Sequence, residues 1–424
     1  MKKLDVVFRG WGQAWVLGTL ADADGTVHFA YSSEALRRRV EHSPLHLPLE
    51  PLGARLRSGF PPHFNALPGF INDALPDGWG LLLMDRVFRQ AGRDPATLSP
   101  LDRLSFIGDR ALGALAFVPS ADAELGEQDL SLLALARAAQ QVIQSGDVAM
   151  LKTLARLGGS PHGARPKALV HFDPRSGVIN TRSTPTTPTT NEGAAGQPWI
   201  VKFPAGGEHK EVCAIEATYA ELARACGVDV PPTQHFDLGR GLAAFGAQRF
   251  DRVHGMRVPV QSFAAALHAD FRLPSIDYEQ VLRVTRFFTR DERDVARAYR
   301  RCVFNVVFNN RDDHAKNFAF LMDDTMRWRL APAYDLTFSM GPAGQHQTSV
   351  LGVGMPGRAE LLRLAGLGGV DVGLAEEIIK AVCAQVPSLQ RRLSNAGVRA
   401  ATVRHMAGAV AANAARCKAP RGRG

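Results

Sequence analysis

Cysteine is scarce in this chain, and its placement excludes more than its number. The five residues, at 213, 226, 302, 383 and 417, are odd in count and never form a C-x-x-C pair. That argues against a disulfide framework and a zinc ribbon, and the thiols read as buried and unreactive. Long apolar runs are missing too: none approaches the roughly 20 residues that cross a bilayer. The opening "MKKLDVVFRGWGQAW" carries two lysines, but Asp5, Arg9 and Gln13 interrupt any signal-peptide core, so a cytoplasmic protein is expected. Thirteen histidines include no H-E-x-x-H pair and there is no G-x-S-x-G elbow, which removes the zincin and serine-hydrolase signatures. Lysine is the minority cation, nine of the 50 basic residues, the rest being arginine.

What is present is the composition of a globular protein, 46% hydrophobic and 21% charged over 424 residues, enough for two or three domains. The net charge of +9 is diffuse; it is compatible with nucleic acid or an acidic partner without pointing to either. Residues 1–30 alternate around "DADG" as a β-hairpin. Pro76-Asp77-Gly78 precedes a helix, "RALGALAFVPS" (110–120) reads as a buried strand, and 129–145 has helical spacing. A β-rich block follows, with strands at 167–174, 198–204 and 243–253 and an amphipathic helix over 211–228 that ends at Gly227. Between the first two strands, "TRSTPTTPTTNEGAAGQ" has almost no apolar side chains and is expected to be a mobile loop. From about 260 the chain is mostly helical, and the arginines of 282–301 are mixed with acids and read as a solvated helix face. The fold class is therefore α+β, a β-rich N-terminal domain followed by a two-lobed, kinase-like domain with a mostly helical C-terminal lobe. The expected division is 1–145, 146–255 and 256–424.

Three segments could carry chemistry. In "VFNVVFNNRDDHAKNFAFLM" (303–322), Asp312 and Asn317 stand in a D-x-x-x-x-N arrangement, the spacing of a kinase catalytic loop. Asp335, in "APAYDLTFS", could supply a second carboxylate for magnesium, which takes hard oxygen ligands and bridges ATP phosphates. A helix cap and a solvated turn would explain the same polar residues; Asp335 tips the balance toward chemistry. Asp312, not Asp313, is the expected base, because only Asp312 has Asn317 at the right distance. The second segment, "LGGSPHGARPKALV" (157–170), is neither a P-loop nor a G-x-G-x-x-G loop. Its glycines allow close approach of phosphate, although alone it reads as an ordinary turn. The third is Lys202 in "WIVKFP", either an edge lysine facing water or a phosphate-holding lysine fixed by Glu211 or Glu216. Three of the nine lysines (Lys167, Lys202 and Lys316) fall in these segments, which adds modest support.

With these residues in hand, the chain resembles the HipA-type serine/threonine-protein kinase toxins of bacterial type II toxin–antitoxin modules. "FINDALPDGWG" and "DRLSFIGDRALGALAFVP" look like the N-terminal domain of that family. "SPHGARPKALV", "WIVKFP", "QRFDRV", "NNRDDHAKNFAF" and "APAYDL" look like its kinase motifs, in order, over almost the whole chain. The resemblance implies that Asp312 is the catalytic base, and that Asn317 and Asp335 are the Mg2+ ligands. It implies that Lys202 contacts ATP phosphates and that His162, Gly163, Ala164, Arg165, Pro166 and Lys167 form the phosphate loop. Gln248, Arg249 and Phe250 would line the adenine side, with His314, Lys316 and Tyr334 nearby, and Ser160 would be the autophosphorylated serine, whose phosphate would eject the loop. The implied partners are a helix-turn-helix antitoxin, operator DNA through that complex, and a protein substrate linked to translation, such as an aminoacyl-tRNA synthetase. The Thr/Pro loop, Pro161 and Pro166 in the phosphate loop, and Gln248 in place of an acid depart from the family pattern. Two other readings stand beside this one: a small-molecule kinase of the same fold, and a pseudokinase acting as a DNA-associated binding module.

Overall fold

The computed structural model describes residues 1–50, 55–121, 125, 130–141, 147–159, 161–181, 196–239 and 241–418. Ser160 and positions 182–195, most of the expected mobile loop, lie outside the described residues.

The chain opens with β1 (Lys2–Phe8), β2 (Trp15–Ala23) and β3 (Thr26–Tyr31). Asp24 and Gly25 both take positive φ, +52° and +78°, the backbone that a two-residue hairpin between twisted strands demands. Helices α1 (Ser33–Arg38), α2 (Gly69–Asn72), α3 (Gly78–Gln90) and α4 (Pro100–Ile107) follow. β4 (Leu115–Val118) then closes an antiparallel sheet of order β3-β2-β1-β4. The strand expected over 110–120 begins only at Leu115. The reason is a side chain: the buried Arg257 guanidinium donates to the carbonyls of Asp109, Ala111, Gly113 and Leu115 at 2.8–3.0 Å, so this stretch satisfies its acceptors without a partner strand.

Within the expected helix 129–145 the described residues form α5 (Leu132–Gln141), while 129 and 142–145 lie outside the described residues; α6 (Val148–Gly158), which sequence periodicity did not suggest, comes next. A five-stranded antiparallel sheet of order β6-β5-β7-β9-β8 then forms from β5 (Lys167–Phe172), β6 (Ile179–Asn180), β7 (Gln197–Lys202), β8 (Thr233–Gly239) and β9 (Leu242–Gln248). Helix α7 (Glu211–Ala225) packs on it and ends where Gly227 takes φ +76°. The strand expected over 243–253 stops at Gln248, because Arg249 turns to pair its guanidinium with Asp251 (2.8 Å to each oxygen).

Short strands β10 (Arg252–Val253), β11 (Met256–Arg257) and β12 (Val260–Ser262) and helix α8 (Phe263–Leu267) lead into the helical lobe. β13 (Ile276–Asp277) precedes α9 (Tyr278–Thr289) and α10 (Glu292–Val307). The arginine-rich stretch is thus two helices, not one: Arg290 takes φ +51° to end α9, and the Asp291 carboxylate caps α10 through the Arg293 N–H at 2.9 Å. Nor are all its arginines solvated, since Arg301 is 3% exposed. β14 (Ala319–Met322) and β15 (Trp328–Leu330) join β12 in a small antiparallel sheet. Helices α11 (Arg358–Leu367), α12 (Val372–Gln385), α13 (Leu389–Asn395) and α14 (Ala400–Cys417) complete the lobe. The β-rich N-terminal domain and mostly helical C-terminal lobe are as expected, and all five cysteines are buried.

One buried apolar cluster runs from Leu4 to Cys417, through all three parts. Polar ties follow the same seams: Trp11 Nε1 donates to Met322 O (3.0 Å), Trp328 Nε1 to Glu41 O (2.9 Å), and the Gly113 N–H to Asp251 Oδ2 (2.8 Å). Among the described residues no helix is long and apolar enough to cross a membrane.

Candidate active site

Between the five-stranded sheet and the helical lobe lies a cleft of ≈ 870 Å³, walled on its third side by the N-terminal domain. The polar knot of 309–317 enters it from the end of α10, and its residues divide into two sets. Asn309, Asn310, Arg311 and Asp313 are scaffolding. Asn309 Nδ2 donates to Ser339 O (2.9 Å), Asn310 Nδ2 to Asn305 Oδ1 (2.9 Å), and Arg311 Nη1 to Gly344 O (2.6 Å). The buried Asp313 carboxylate accepts from Tyr278 Oη (2.8 Å), His346 Nδ1 (2.8 Å) and the Gln347 and Thr348 amides (3.0 and 3.2 Å). Four donors leave it no capacity to take a proton from a substrate.

Asp312, His314, Lys316 and Asn317 line the cleft instead. The Asp312 side chain is half exposed, with Gln347 Nε2 donating to its Oδ1 at 2.9 Å and His314 Nε2 4.0 Å away. Burial lowers the His314 pKa, so the ring is neutral at pH 7 and its Nδ1 accepts the Lys316 N–H. Asn317 donates Nδ2 to the Asp312 carbonyl at 2.6 Å, which turns its Oδ1 away from that bond. Tyr334 Oη donates to Lys316 O (2.7 Å), joining this loop to the one that carries Asp335. Arg301 strengthens the join: its Nη2 donates to the carbonyls of Asn317 and Tyr334, and its guanidinium lies 4.6 Å and 5.5 Å from the Phe318 and Tyr334 rings.

From the small lobe, Lys202 at the end of β7 meets Glu216 Oε1 at 2.5 Å and also contacts Asp335 Oδ1. Of the two candidate helix carboxylates it is therefore Glu216 that faces the lysine. Glu211 is taken by Arg399 (Nε 2.9 Å) and Thr402 (3.0 Å) on the far side of α7. Asp335 adopts φ +53°, an unusual conformation for a non-glycine residue.

Of the residues expected to form a phosphate loop, His162, Gly163, Ala164, Arg165 and Lys167 line the cleft; Pro166 does not, and its carbonyl accepts from the Phe203 N–H (2.8 Å). Of the glycines, Gly158 ends α6 and has no room for a Cβ, which would stand 2.2 Å from Lys167 O; only Gly163, at φ +99°, lies in the loop. Lys167 Nζ donates to His162 O, and burial together with the Lys202 ammonium brings its pKa down to about 7. Burial likewise lowers His162 to about 4, and its Nε2 donates to Leu75 O (2.9 Å). Arg165 spans Glu208 (3.1 Å) and Glu216 (3.5 Å). Gln248, Arg249, Phe250 and Tyr334 form the opposite wall, with the Phe250 and Tyr334 rings 5.7 Å apart.

Magnesium fits this donor set. Among the described residues no group of three or more His, Cys, Asp or Glu could hold a metal, which argues against an all-protein cage. Asn317 Oδ1 and the Asp335 carboxylate offer two hard oxygens, the number wanted for an ion whose remaining ligands are phosphate and water. Sequence reasoning missed Gln347, Glu208, Arg301 and above all Asp77, whose carboxylate accepts from Lys316 Nζ (2.8 Å) and the Gly163 N–H. The only local hint was Asp77 standing in a Pro-Asp-Gly turn.

Comparison with known proteins agrees with this architecture. Residues 159–390 match the HipA-like C-terminal domain, and residues 9–118 match the HipA N-terminal domain. Two Sinorhizobium fredii proteins are similar in sequence. The one named "Putative kinase Y4dM" is 29% identical over 328 residues (74% of this chain and 72% of that protein). "Putative kinase Y4mE" is 32% identical over 155 residues, a third of each (33% and 34%). The fold is that of HipA from the Shewanella oneidensis MR-1 toxin–antitoxin system, solved with HipB and its operator DNA. The TM-score is 0.68 at 16% identity, covering 98% of this chain and 97% of that one.

Proposed function

The chain belongs to the HipA family, and from that premise we propose that it is an ATP-dependent serine/threonine protein kinase acting as the toxin of a toxin–antitoxin module. The observation that carries the reading is the convergence of Lys202, Glu216 and Asp335 with Asp312 and Asn317 in one cleft. Lys202 and Lys167 supply ammonium groups for phosphate oxygens, and the loop 162–167 covers them. Gln248, Arg249 and Phe250 bound the adenine side. Asn317 and Asp335 would hold Mg2+, whose chemistry when bound is to neutralise charge on the phosphates.

Asp312 is the only carboxylate of the knot with room for a substrate hydroxyl. It takes the hydroxyl proton as that oxygen bonds to the γ-phosphorus and the bond to the leaving ADP oxygen breaks. His314 stays neutral beside it, and Lys316 and Tyr334 hold the loop. Ser160, outside the described residues, is the proposed autophosphorylation position. A helix-turn-helix antitoxin, operator DNA reached through it, a translation-linked protein substrate and a cytoplasmic location belong to the same proposal, as does the domain division at 145 and 255. The protein characterised with HipB and operator DNA supports the partner assignments by fold alone.

The test is incubation with labelled ATP and magnesium, wild type beside Asp312→Ala, followed by phosphosite mapping. Labelled serine or threonine that vanishes in the variant is the expected result. Equal labelling in both removes Asp312 as base, and absence of ATP binding favours an interaction module. Growth arrest on expression, lost with Asp312→Ala, tests the toxin assignment separately.

A further inference from the structure

The N-terminal domain does more than pack against the kinase lobes. From the turn Pro76-Asp77-Gly78, Asp77 and Gly78 line the nucleotide cleft, and Asp77, Gly78 and Trp79 meet the phosphate loop or the loop that carries Asp312. The two oxygens of Asp77 are divided: Oδ1 accepts from the Gly163 N–H, and Oδ2 accepts from Lys316 Nζ at 2.8 Å. Trp79 N donates to Gly163 O (3.2 Å), and His162 Nε2 donates to Leu75 O (2.9 Å). Gly78 has no space for a side chain, since a Cβ there would stand 2.7 Å from Gly163 O. Lys316 is almost fully buried, with its ammonium 4.2 Å from the Phe271 ring centroid, so Asp77 and that ring set where its remaining protons point.

We infer that Asp77 is a positioning residue of the kinase site, a carboxylate from the N-terminal domain that holds the phosphate loop down and aims Lys316 at the phosphates. The inference rests on the kinase reading above and deepens it: the ATP site is complete only when the N-terminal domain is in place. A neutral residue at 77 would leave Lys316 buried without its counter-charge, and a small one would also free the Gly163 N–H. Burial works against ionisation of Asp77, yet His162, Lys316 and the Gly163 N–H hold its pKa well below the usual carboxylate range, so it is charged wherever the protein is folded and active.

The experiment uses the full chain, four single variants and the double variant Asp77→Asn with Lys316→Met. Asp77→Asn keeps an acceptor for Gly163 but loses the charge beside Lys316. Asp77→Ala loses both. Lys316→Met removes the other partner. His63→Ala cuts a different bond between the N-terminal domain and the large lobe, His63 Nε2 to His268 O at 3.0 Å, and neither residue lines the cleft. Each is assayed for kcat, KM for ATP, melting temperature and amide exchange over residues 161–165.

The expected result is a rise of about tenfold in KM for ATP with Asp77→Asn, and a rise no larger in the double variant with Lys316→Met than in Lys316→Met alone. Asp77→Ala adds faster exchange at the phosphate loop by about tenfold, a readout that needs no turnover. His63→Ala lowers the melting temperature and leaves KM alone. An active wild type whose Asp77 variants keep its KM and its loop protection overturns the inference while the kinase reading survives. So do Asp77 and Lys316 effects that simply add. A lowered KM makes Asp77 an inhibitory latch, which contradicts the positioning role. A wild type that neither binds nor turns over ATP overturns the kinase reading, and this inference with it.

Discussion

Replacing Glu216 by glutamine removes one charge from the centre of the cleft, and the structure sets what that costs. The Glu216 side chain is 4% exposed and faces two cations, Lys202 at 2.5 Å and Arg165 at 3.5 Å. Removing one partner of a buried pair costs about 3–5 kcal/mol when the other is left uncompensated. Here Lys202 keeps Asp335 and glutamine keeps one acceptor oxygen, so the loss falls to about 2–3 kcal/mol. For a chain of this size that is a drop of roughly 2–3 °C in melting temperature. The second effect is catalytic: without Glu216 the ammonium swings onto Asp335, a proposed metal ligand, and KM for ATP should rise by about tenfold. Glu211→Gln is the companion, removing the charge that pairs with Arg399 but touching nothing in the cleft. Calorimetry and steady-state kinetics should show both variants destabilised and only Glu216→Gln impaired toward ATP. An unchanged KM in Glu216→Gln, or an equal rise in Glu211→Gln, would refute the assignment of Glu216 as the residue that sets the lysine.

Gln347→Ala removes the 2.9 Å bond to Asp312 Oδ1. A hydrogen bond to a charged group contributes about 1.5–3 kcal/mol, so kcat should fall by about tenfold or more while KM for ATP holds; a fall in ATP affinity instead would place Gln347 elsewhere in the mechanism. Lys167 gives a pH signature. Its folded pKa of about 7 lies below that of a free lysine, so between those values the unfolded chain binds more protons and stability rises with pH. Denaturation of wild type against Lys167→Met should show the stability difference growing in favour of wild type from pH 7 toward pH 10 and flat below pH 7. A constant difference would mean that the buried ammonium is solvated.

Local spacing made part of the site legible. Asp312 and Asn317 lie in one short loop, so their separation in sequence is nearly their separation in space, and Lys202 stands out as a charge in an apolar strand. The same signals could not choose between Glu211 and Glu216. Five residues place them about 140° apart around a helix, so only the packing of α7 decides which faces β7. Nor could charge patterning separate Arg301, buried against two rings, from its solvated neighbours on α9 and α10. Strand ends were misplaced where a side chain replaced a partner strand, as Arg257 does for 109–115.

By itself, then, the sequence determined the class of fold, the order of its parts and the residue types available for chemistry, because periodicity, turn residues and short motifs act over a few positions. Tertiary structure alone decided which oxygens meet which cations. Asp77 and Lys316 are 239 residues apart, and Asp312 and Gln347 are 35. Nothing local marks either pair, since each contact exists only after a continuous apolar core has brought the N-terminal sheet and both lobes against one cleft.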